Sequence, residues 1–285
     1  MNDLTGQEID GYQLEVRLGQ RGNSMVYRAR KLSNNRLVIF KILAVDAQKP
    51  EFMGRFMREM SLMEELDHPN IVPILAWGIA VGDLPYLIRD FIPGHSLREI
   101  INSRPISPQE AGEYLKPITD ALGYIHDKGI THRDVTPNNL IVGEDRQVYL
   151  TDFAFGKHIG ADTSFTGSNI VVGTPEYVSP EAVDRQPLDQ RSDLYNLAVV
   201  TYEMLLGRLP FHNKASVILL ALAHAKEPPP EPRSINPDFP LPLQAFLLKG
   251  LAKNPDDRYQ WARDYLAGYQ AALAELSEDE RRRTY

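Results

Sequence analysis

A chain of 285 residues is long enough for one large domain or two lobes with separate cores, and 43% hydrophobic with 24% charged residues is a globular balance. No segment approaches eighteen uninterrupted apolar residues, so no membrane span is expected, and a formal charge of -7 opposes non-specific nucleic-acid binding, which needs a basic surface. Zero cysteines exclude disulfides and thiolate metal sites, and the seven histidines form no His-Glu-x-x-His pattern, so any metal must rest on oxygen ligands.

The N-terminal "MNDLTGQEID" has neither the basic start nor the apolar stretch of a secretory signal, and a cytoplasmic location is expected. From there to about residue 91 the chain reads as strands. "YQLEVRLG", "SMVYRARKL", "RLVIFKILAV" and "LPYLIRDFI" are rich in β-branched and aromatic residues and are set apart by the turn formers Gly22, Asn34, Asn35, Gly82 and Asp83. They predict an antiparallel sheet. Between the third and fourth, Phe52, Phe56, Met60, Met63 and Leu66 recur at helical spacing, which predicts an amphipathic helix ended by Asp67-His68-Pro69.

From Ser96 onward the pattern turns helical, in "PQEAGEYLKPITDALGYIHDKG", "SDLYNLAVVTYEMLLG", "SVILLALAHAKE", "PLQAFLLKGLAKN" and "DYLAGYQAALAELSED". The expected fold is α+β and bilobal: a small β-rich lobe over 1–91 with one main helix, a larger helical lobe over 92–272, and a charged tail over 273–285. "EPPPEPRSINPDFP" reads as a stiff loop between two helices, and Arg281 to Arg283 as a solvated helix end behind an acidic run.

Two positions resist a plain core reading. Lys41 in "LVIFKIL" shares a strand face with Ile39 and Leu43 while the opposite face is also apolar, so its cation stands where water is scarce and needs a partner. Glu59, on the stripe of the helix that faces the sheet, can be that partner, and a structural salt bridge explains the two residues as well as a functional pair does. Asp152 follows the strand-like "VYL" and, with Asn139, offers hard oxygen ligands for magnesium, although a single Asp after a strand is ordinarily a turn residue.

The order "THRDVTPNNL", "TDFAFG", "GTPEYVSPE", "RSDLYNLAVVTYEMLLGRLPF" and "LAKNPDDRYQ" resembles the bacterial eukaryotic-like (Hanks-type) serine/threonine protein kinases over about residues 10 to 270. The resemblance implies transfer of the ATP γ-phosphoryl group to a protein hydroxyl, with ATP and Mg2+ as cofactors. It implies a protein substrate, and self-association for autophosphorylation. Lys41 looks like the strand lysine that holds the α- and β-phosphates and Glu59 like the helix glutamate that orients it. Asp134 matches the catalytic base, Asn139 and Asp152 the magnesium ligands. Leu18, Gly19, Gly22, Val26, Ile39, Arg89, Asp90, Ile92 and Ile141 fall where the family lines its nucleotide site. Thr174 matches the threonine under the substrate chain, Glu181 and Arg258 an ion pair that anchors the activation segment, and Asp193 the carboxylate that holds the catalytic loop.

Several positions depart from the family's pattern. Arg21 and Ser24 replace two glycines of the phosphate-covering loop, Ile39 an alanine over the adenine, and Ala154 the glycine of Asp-Phe-Gly. Arg89 stands at the gate of the pocket. Thr136 takes the place of a catalytic-loop lysine, so a hydroxyl replaces a cation; as a structural alternative, it hydrogen-bonds Asp134 and holds the loop. These departures favour the alternative of a pseudokinase, a nucleotide-sensing or scaffold module with weak or no transfer. A small-molecule phosphotransferase fits less well, because "GTPEYVSPE" resembles a peptide-docking segment. Arg133 precedes Asp134, and a phosphate on Thr163, Ser164, Thr166 or Ser168, Thr166 and Ser168 first, is expected to pair with it and order that segment.

Overall fold

The computed structural model describes residues 3–21, 24–43, 50–80, 84–153, 174–212 and 214–285. They fall into two compact units. One takes in residues up to 67 and 71–93; the other takes in 68–70, 94–153 and 174–285. Gly22, Gly82, Asp83, Ala154, Thr163, Ser164, Thr166 and Ser168 lie outside the described residues.

In the first unit β1 (Glu8–Ile9), β2 (Tyr12–Arg21), β3 (Ser24–Lys31), β4 (Leu37–Leu43), β5 (Ile74–Ala80) and β6 (Leu84–Asp90) form one sheet in the order β1-β2-β3-β4-β6-β5, and α1 (Pro50–Glu64) lies between β4 and β5 in sequence. Every neighbouring pair is antiparallel. Four of these strands were expected. β1 and β5 were not: β1 is two residues long, and "ILAWGIA" alternates poorly and contains Gly78. That glycine is needed for packing: a Cβ there would come within 2.6 Å of the Tyr86 hydroxyl across the pair.

Register sorts the side chains into two faces, since residues opposite one another on paired strands point the same way. Met25, Tyr27, Val38, Phe40, Ile42, Tyr86 and Ile88 share one face and make its core, with Phe40 stacked on Tyr86 at 4.7 Å between ring centroids. The other face carries Val26 opposite Lys41, Lys41 opposite Leu87, and Ile39 opposite Arg89. Helix α1 covers this second face, because Phe56 meets Trp77 edge-on at 5.8 Å and Trp77 is opposite Leu87. Phe56, Met60, Met63 and Leu66 are buried, as their spacing required.

The second unit is mainly helical. It contains β7 (Gly94–Ser96), α2 (Leu97–Ser103), α3 (Pro108–Asp127), a 3-10 turn (Pro137–Asn139), β8 (Leu140–Gly143) and β9 (Val148–Leu150), then α4 (Pro180–Val183), α5 (Gln190–Leu206), α6 (Val217–Lys226), α7 (Pro232–Ile235), α8 (Leu241–Gly250), α9 (Ala262–Ala274) and α10 (Glu278–Arg282). Ser96 and Glu99 form a reciprocal capping box on α2, Ser107 caps α3, and Asp189 caps α5. Helix α5 is the unit's centre: every residue from Ser192 to Leu206 is buried, so it is apolar or internally paired all round.

Two segments are more ordered than the sequence suggested. The proline-rich loop contains the short helix α7, started by Pro232 at a position where its missing N–H costs nothing. The charged tail packs: Arg281 Nε donates to Leu273 O at 2.9 Å, Arg283 pairs with Asp238 at 3.0 Å, and Tyr285 meets Phe239 edge-on. Among the described residues no helix is long and apolar enough to cross a membrane.

Candidate active site

The loop at 131–139 is built around one buried carboxylate. Asp193, in the first turn of α5, is fully enclosed and accepts from His132 N at 2.8 Å, from Arg133 N at 2.7 Å and from His126 Nε2 at 2.8 Å. Backbone amides that converge on one acceptor fix the chain between them, and here they hold Arg133 at φ 65, a conformation that a non-glycine residue seldom adopts unaided. The expected role of Asp193 matches this geometry. His126 had given no signal in the sequence beyond lying near the end of α3.

His132 is fully buried. Its Nδ1 accepts from Asp134 N at 3.3 Å, so Nε2 carries the proton and donates to Thr151 O at 3.0 Å. Burial pushes its pKa down, against the pull of the Asp193 and Asp134 charges, and the neutral ring satisfies both partners. The same ring lies 4.6 Å from that of Phe153, next to Asp152.

The carboxylate of Asp134 is aimed by two donors. Asn139 Nδ2 donates to its Oδ2 at 2.9 Å and to its main-chain O at 2.8 Å, while Thr174 Oγ1 donates to Oδ1 at 2.9 Å. Neither oxygen is taken by Thr136. That residue is 2% exposed and extended at φ -139 before the 3-10 turn, and its hydroxyl makes no hydrogen bond to Asp134 among the described residues. The structural alternative of a Thr136–Asp134 bond is thereby corrected: the donors on the carboxylate are Asn139 and Thr174, while Thr136 stands extended before the 3-10 turn.

Asn139 and Asp152 are joined through the backbone. Thr151 N donates to Asn139 O at 2.9 Å, which fixes the strand leading into Asp152, and Asp152 itself turns at φ 57. Asn70, which the sequence did not single out, braces the same strand: its Nδ2 donates to Val148 O at 3.0 Å and its O accepts from Leu150 N at 2.8 Å.

Further along, Glu181 and Arg258 form the expected pair, with Nη1 to Oε1 at 2.9 Å and Nη2 to Oε2 at 2.8 Å. Ser192 Oγ donates to the same carboxylate at 2.6 Å. Burial alone would raise the Glu181 pKa; the Arg258 guanidinium and the Ser192 hydroxyl hold it below the ordinary range. Arg258 also donates to the carbonyls of Ala252 and Lys253, so its fork is satisfied on all sides.

The residues assigned to the nucleotide side lie mostly in the first unit. Gly19 is opposite Val26 and Val26 opposite Lys41, one row across three strands, and Ile39 is buried opposite Arg89. Lys41 and Glu59 are half-buried, less enclosed than the strand pattern implied. Leu18 is exposed, Ile92 half-buried, and Asp90 is held by a two-pronged contact from Arg36. Ile141 belongs to β8 of the second unit.

The donor set suits magnesium. Asn139 and Asp152 would offer it a neutral and an anionic oxygen, and among the described residues no three Asp, Glu or His side chains converge to hold a metal alone. An ion that keeps waters and takes one or two protein oxygens plus phosphate oxygens needs no more than this.

Residues 12–267 match the protein kinase domain family. The chain is 38% identical over 263 residues to the serine/threonine-protein kinase PknB of Mycobacterium leprae, covering 90% of this chain and 42% of that protein. It is 34% identical over 273 residues to the serine/threonine-protein kinase PrkC of Bacillus subtilis, covering 95% and 42%. The chain thus spans less than half the length of these curated relatives. The crystal structure of the Mycobacterium tuberculosis PknI kinase domain superposes with a TM-score of 0.73 at 23% identity, over 95% of this chain and 98% of that one. By its sequence, its two units and the loop held on Asp193, the chain belongs to the protein kinase family.

Proposed function

We propose that the chain transfers the γ-phosphoryl group of ATP to serine or threonine hydroxyls of a protein substrate. The observation that carries this reading is the aimed carboxylate of Asp134. It is held by Asn139 and Thr174 and backed by a loop pinned on buried Asp193, which is what a base that accepts a hydroxyl proton requires. Asn139 and Asp152 hold magnesium in this reading. The ion, when bound, neutralises charge on the transferring phosphoryl group.

Lys41 binds the α- and β-phosphates and Glu59 orients it; Lys41 is on the sheet face that α1 covers, and Glu59 is on α1. The hydrophobic row of Val26 and Ile39 and the backbone of Gly19 form the nucleotide-facing surface. With no lysine at 136, charge compensation is weaker than in a kinase that has one, and slow turnover follows. The domain acts in the cytoplasm and on itself as well as on other proteins.

The test is transfer of labelled γ-phosphate to the chain itself and to a generic basic protein, wild type against Asp134→Asn. Label transferred by the wild type and lost in the variant supports the reading. Equal, background-level label in both would overturn it.

A further inference from the structure

Apart from the residues already assigned, a partly buried ion pair of the second unit ends on a tyrosine of the segment after Thr174. Arg98, in the first turn of α2, forks onto Glu203 of α5, with Nη1 to Oε1 at 2.6 Å and Nη2 to Oε2 at 2.9 Å. Glu203 is 4% exposed. The Tyr177 hydroxyl donates to Oε2 of the same carboxylate at 2.5 Å and also contacts Arg98 Nη2. The Arg98 guanidinium lies 6.0 Å from the Tyr177 ring centroid.

Stability alone does not call for this arrangement. Removing a carboxylate and a guanidinium from water costs about as much as their attraction returns, and apolar residues of similar size would fill the space as well. The polar group adds direction. A bidentate fork fixes the plane of the Glu203 carboxylate, and the carboxylate in turn fixes the Tyr177 hydroxyl. Burial, and then the Glu203 charge, hold the Tyr177 proton in place far above the ordinary range of a phenol, so it stays a donor throughout the physiological range.

Tyr177 is tied on its main chain as well. Its N donates to Thr174 O at 3.0 Å, and its O accepts from Asn196 Nδ2. The turn from Thr174 to Tyr177 is therefore held at one end by α5 and Arg98, and at the other presents Thr174 Oγ1 to Asp134. Arg98 and Glu203 are separated by 105 residues, and the chain between them includes the whole loop that carries Asp134.

We propose that Arg98 is a positioning residue: acting through Glu203 and the Tyr177 hydroxyl, it sets the Thr174–Tyr177 turn that holds Thr174 on Asp134 and shapes the protein-substrate side of the site. This rests on the kinase reading for its effect on rate, but the contact network is testable without it.

The experiment compares wild type with Arg98→Met, Arg98→Lys and Tyr177→Phe. It measures kcat and KM separately for a generic basic protein and for ATP, together with hydrogen exchange at the Tyr177 amide. Arg98→Met should lower kcat/KM for the protein substrate by about tenfold to 10²-fold with KM for ATP unchanged, as expected when a remote change misplaces a reacting group. It should also speed exchange at Tyr177. Tyr177→Phe should reproduce both effects, and Arg98→Lys should recover part of each, since it keeps the charge but not the fork. A variant that melts at lower temperature yet keeps wild-type kinetics and wild-type Tyr177 exchange would reduce the pair to a structural one and overturn the proposal. If Arg98→Met does not fold, Tyr177→Phe decides, and unchanged kinetics in it would overturn the proposal equally. A wild type that transfers no phosphate sinks the kinase reading instead, and amide exchange alone then settles whether Arg98 holds the turn.

Discussion

Thr174 and Asp134 are 40 residues apart in sequence, and a hydrogen bond of 2.9 Å joins the threonine hydroxyl to one oxygen of the carboxylate. The other oxygen is held by Asn139, so the carboxylate has one donor on each side and a defined plane. Thr174→Val keeps the shape and removes the donor, and it should lower kcat several-fold or more, on the order of the 10²-fold that a lost oriented contact can cost. Thr174→Ser should retain most of the activity. Steady-state kinetics on the two variants check this, and equal rates in valine and serine variants would count against a role for the hydroxyl.

Lys41→Met should abolish transfer while leaving the fold intact. Lys41 is half-buried in β4, and a flexible apolar chain of similar length fills the same space without the charge. Circular dichroism and melting should match the wild type while label transfer falls to background. Wild-type turnover in this variant would remove Lys41 from the site.

The hydroxyl of Thr136 does not serve Asp134, so the missing-cation account stands on firmer ground than local bonding. Thr136→Lys should raise kcat by up to about 10²-fold with KM for ATP little changed, because the added charge meets the phosphoryl group most strongly during transfer. A lysine variant that folds, binds ATP as before and turns over no faster would refute it.

Acid should weaken the second unit before its carboxylates titrate. Burial, and then the Lys253 cation, push His224 down to about 3, and burial pushes His132 down as well. Below the unfolded value of about 6.5 the unfolded chain takes up protons that the folded chain refuses. Stability is therefore complete above that value and falls as pH drops below it, by up to roughly 1.4 kcal/mol per pH unit for each ring that stays neutral in the fold. Thermal melting at intervals between pH 7.5 and 4.5 should show a falling midpoint, with a shallower slope in His224→Gln. A flat midpoint from pH 7 to 5 would contradict it.

Breaking the Glu181–Arg258 pair from one side should be severe. Arg258 is buried and donates to the Glu181 carboxylate and to the carbonyls of Arg191, Ala252 and Lys253, so Arg258→Met leaves Glu181 charged without its partner and costs about 3–5 kcal/mol. Replacing both, Glu181→Leu with Arg258→Met, should cost less than the arginine change alone. Denaturant melts of the single and double variants measure the difference, and strict additivity would show that the two side chains are not coupled.

The sequence alone determined the elements whose own composition decides them. The β-branched runs of β2, β3, β4 and β6 and the helical spacing of α1 and α3 could be read directly, because periodicity and turn chemistry act over a few residues, while the motifs around Asp134, Asp152, Thr174, Glu181 and Arg258 were legible through their order and their resemblance to a family. Strand β5 could not, since "ILAWGIA" becomes a strand only by pairing with β6, where Gly78 makes room for Tyr86. Nor could the partners of the site. His126 and Asp193 lie 67 residues apart, Asn70 and Val148 lie 78 apart, and Arg98 and Glu203 lie 105 apart. A local pattern shows that a side chain is polar or apolar and which face it takes. Which donor meets which acceptor is decided when helices and strands pack, because a buried polar group must find its partner among whatever the tertiary fold brings to it.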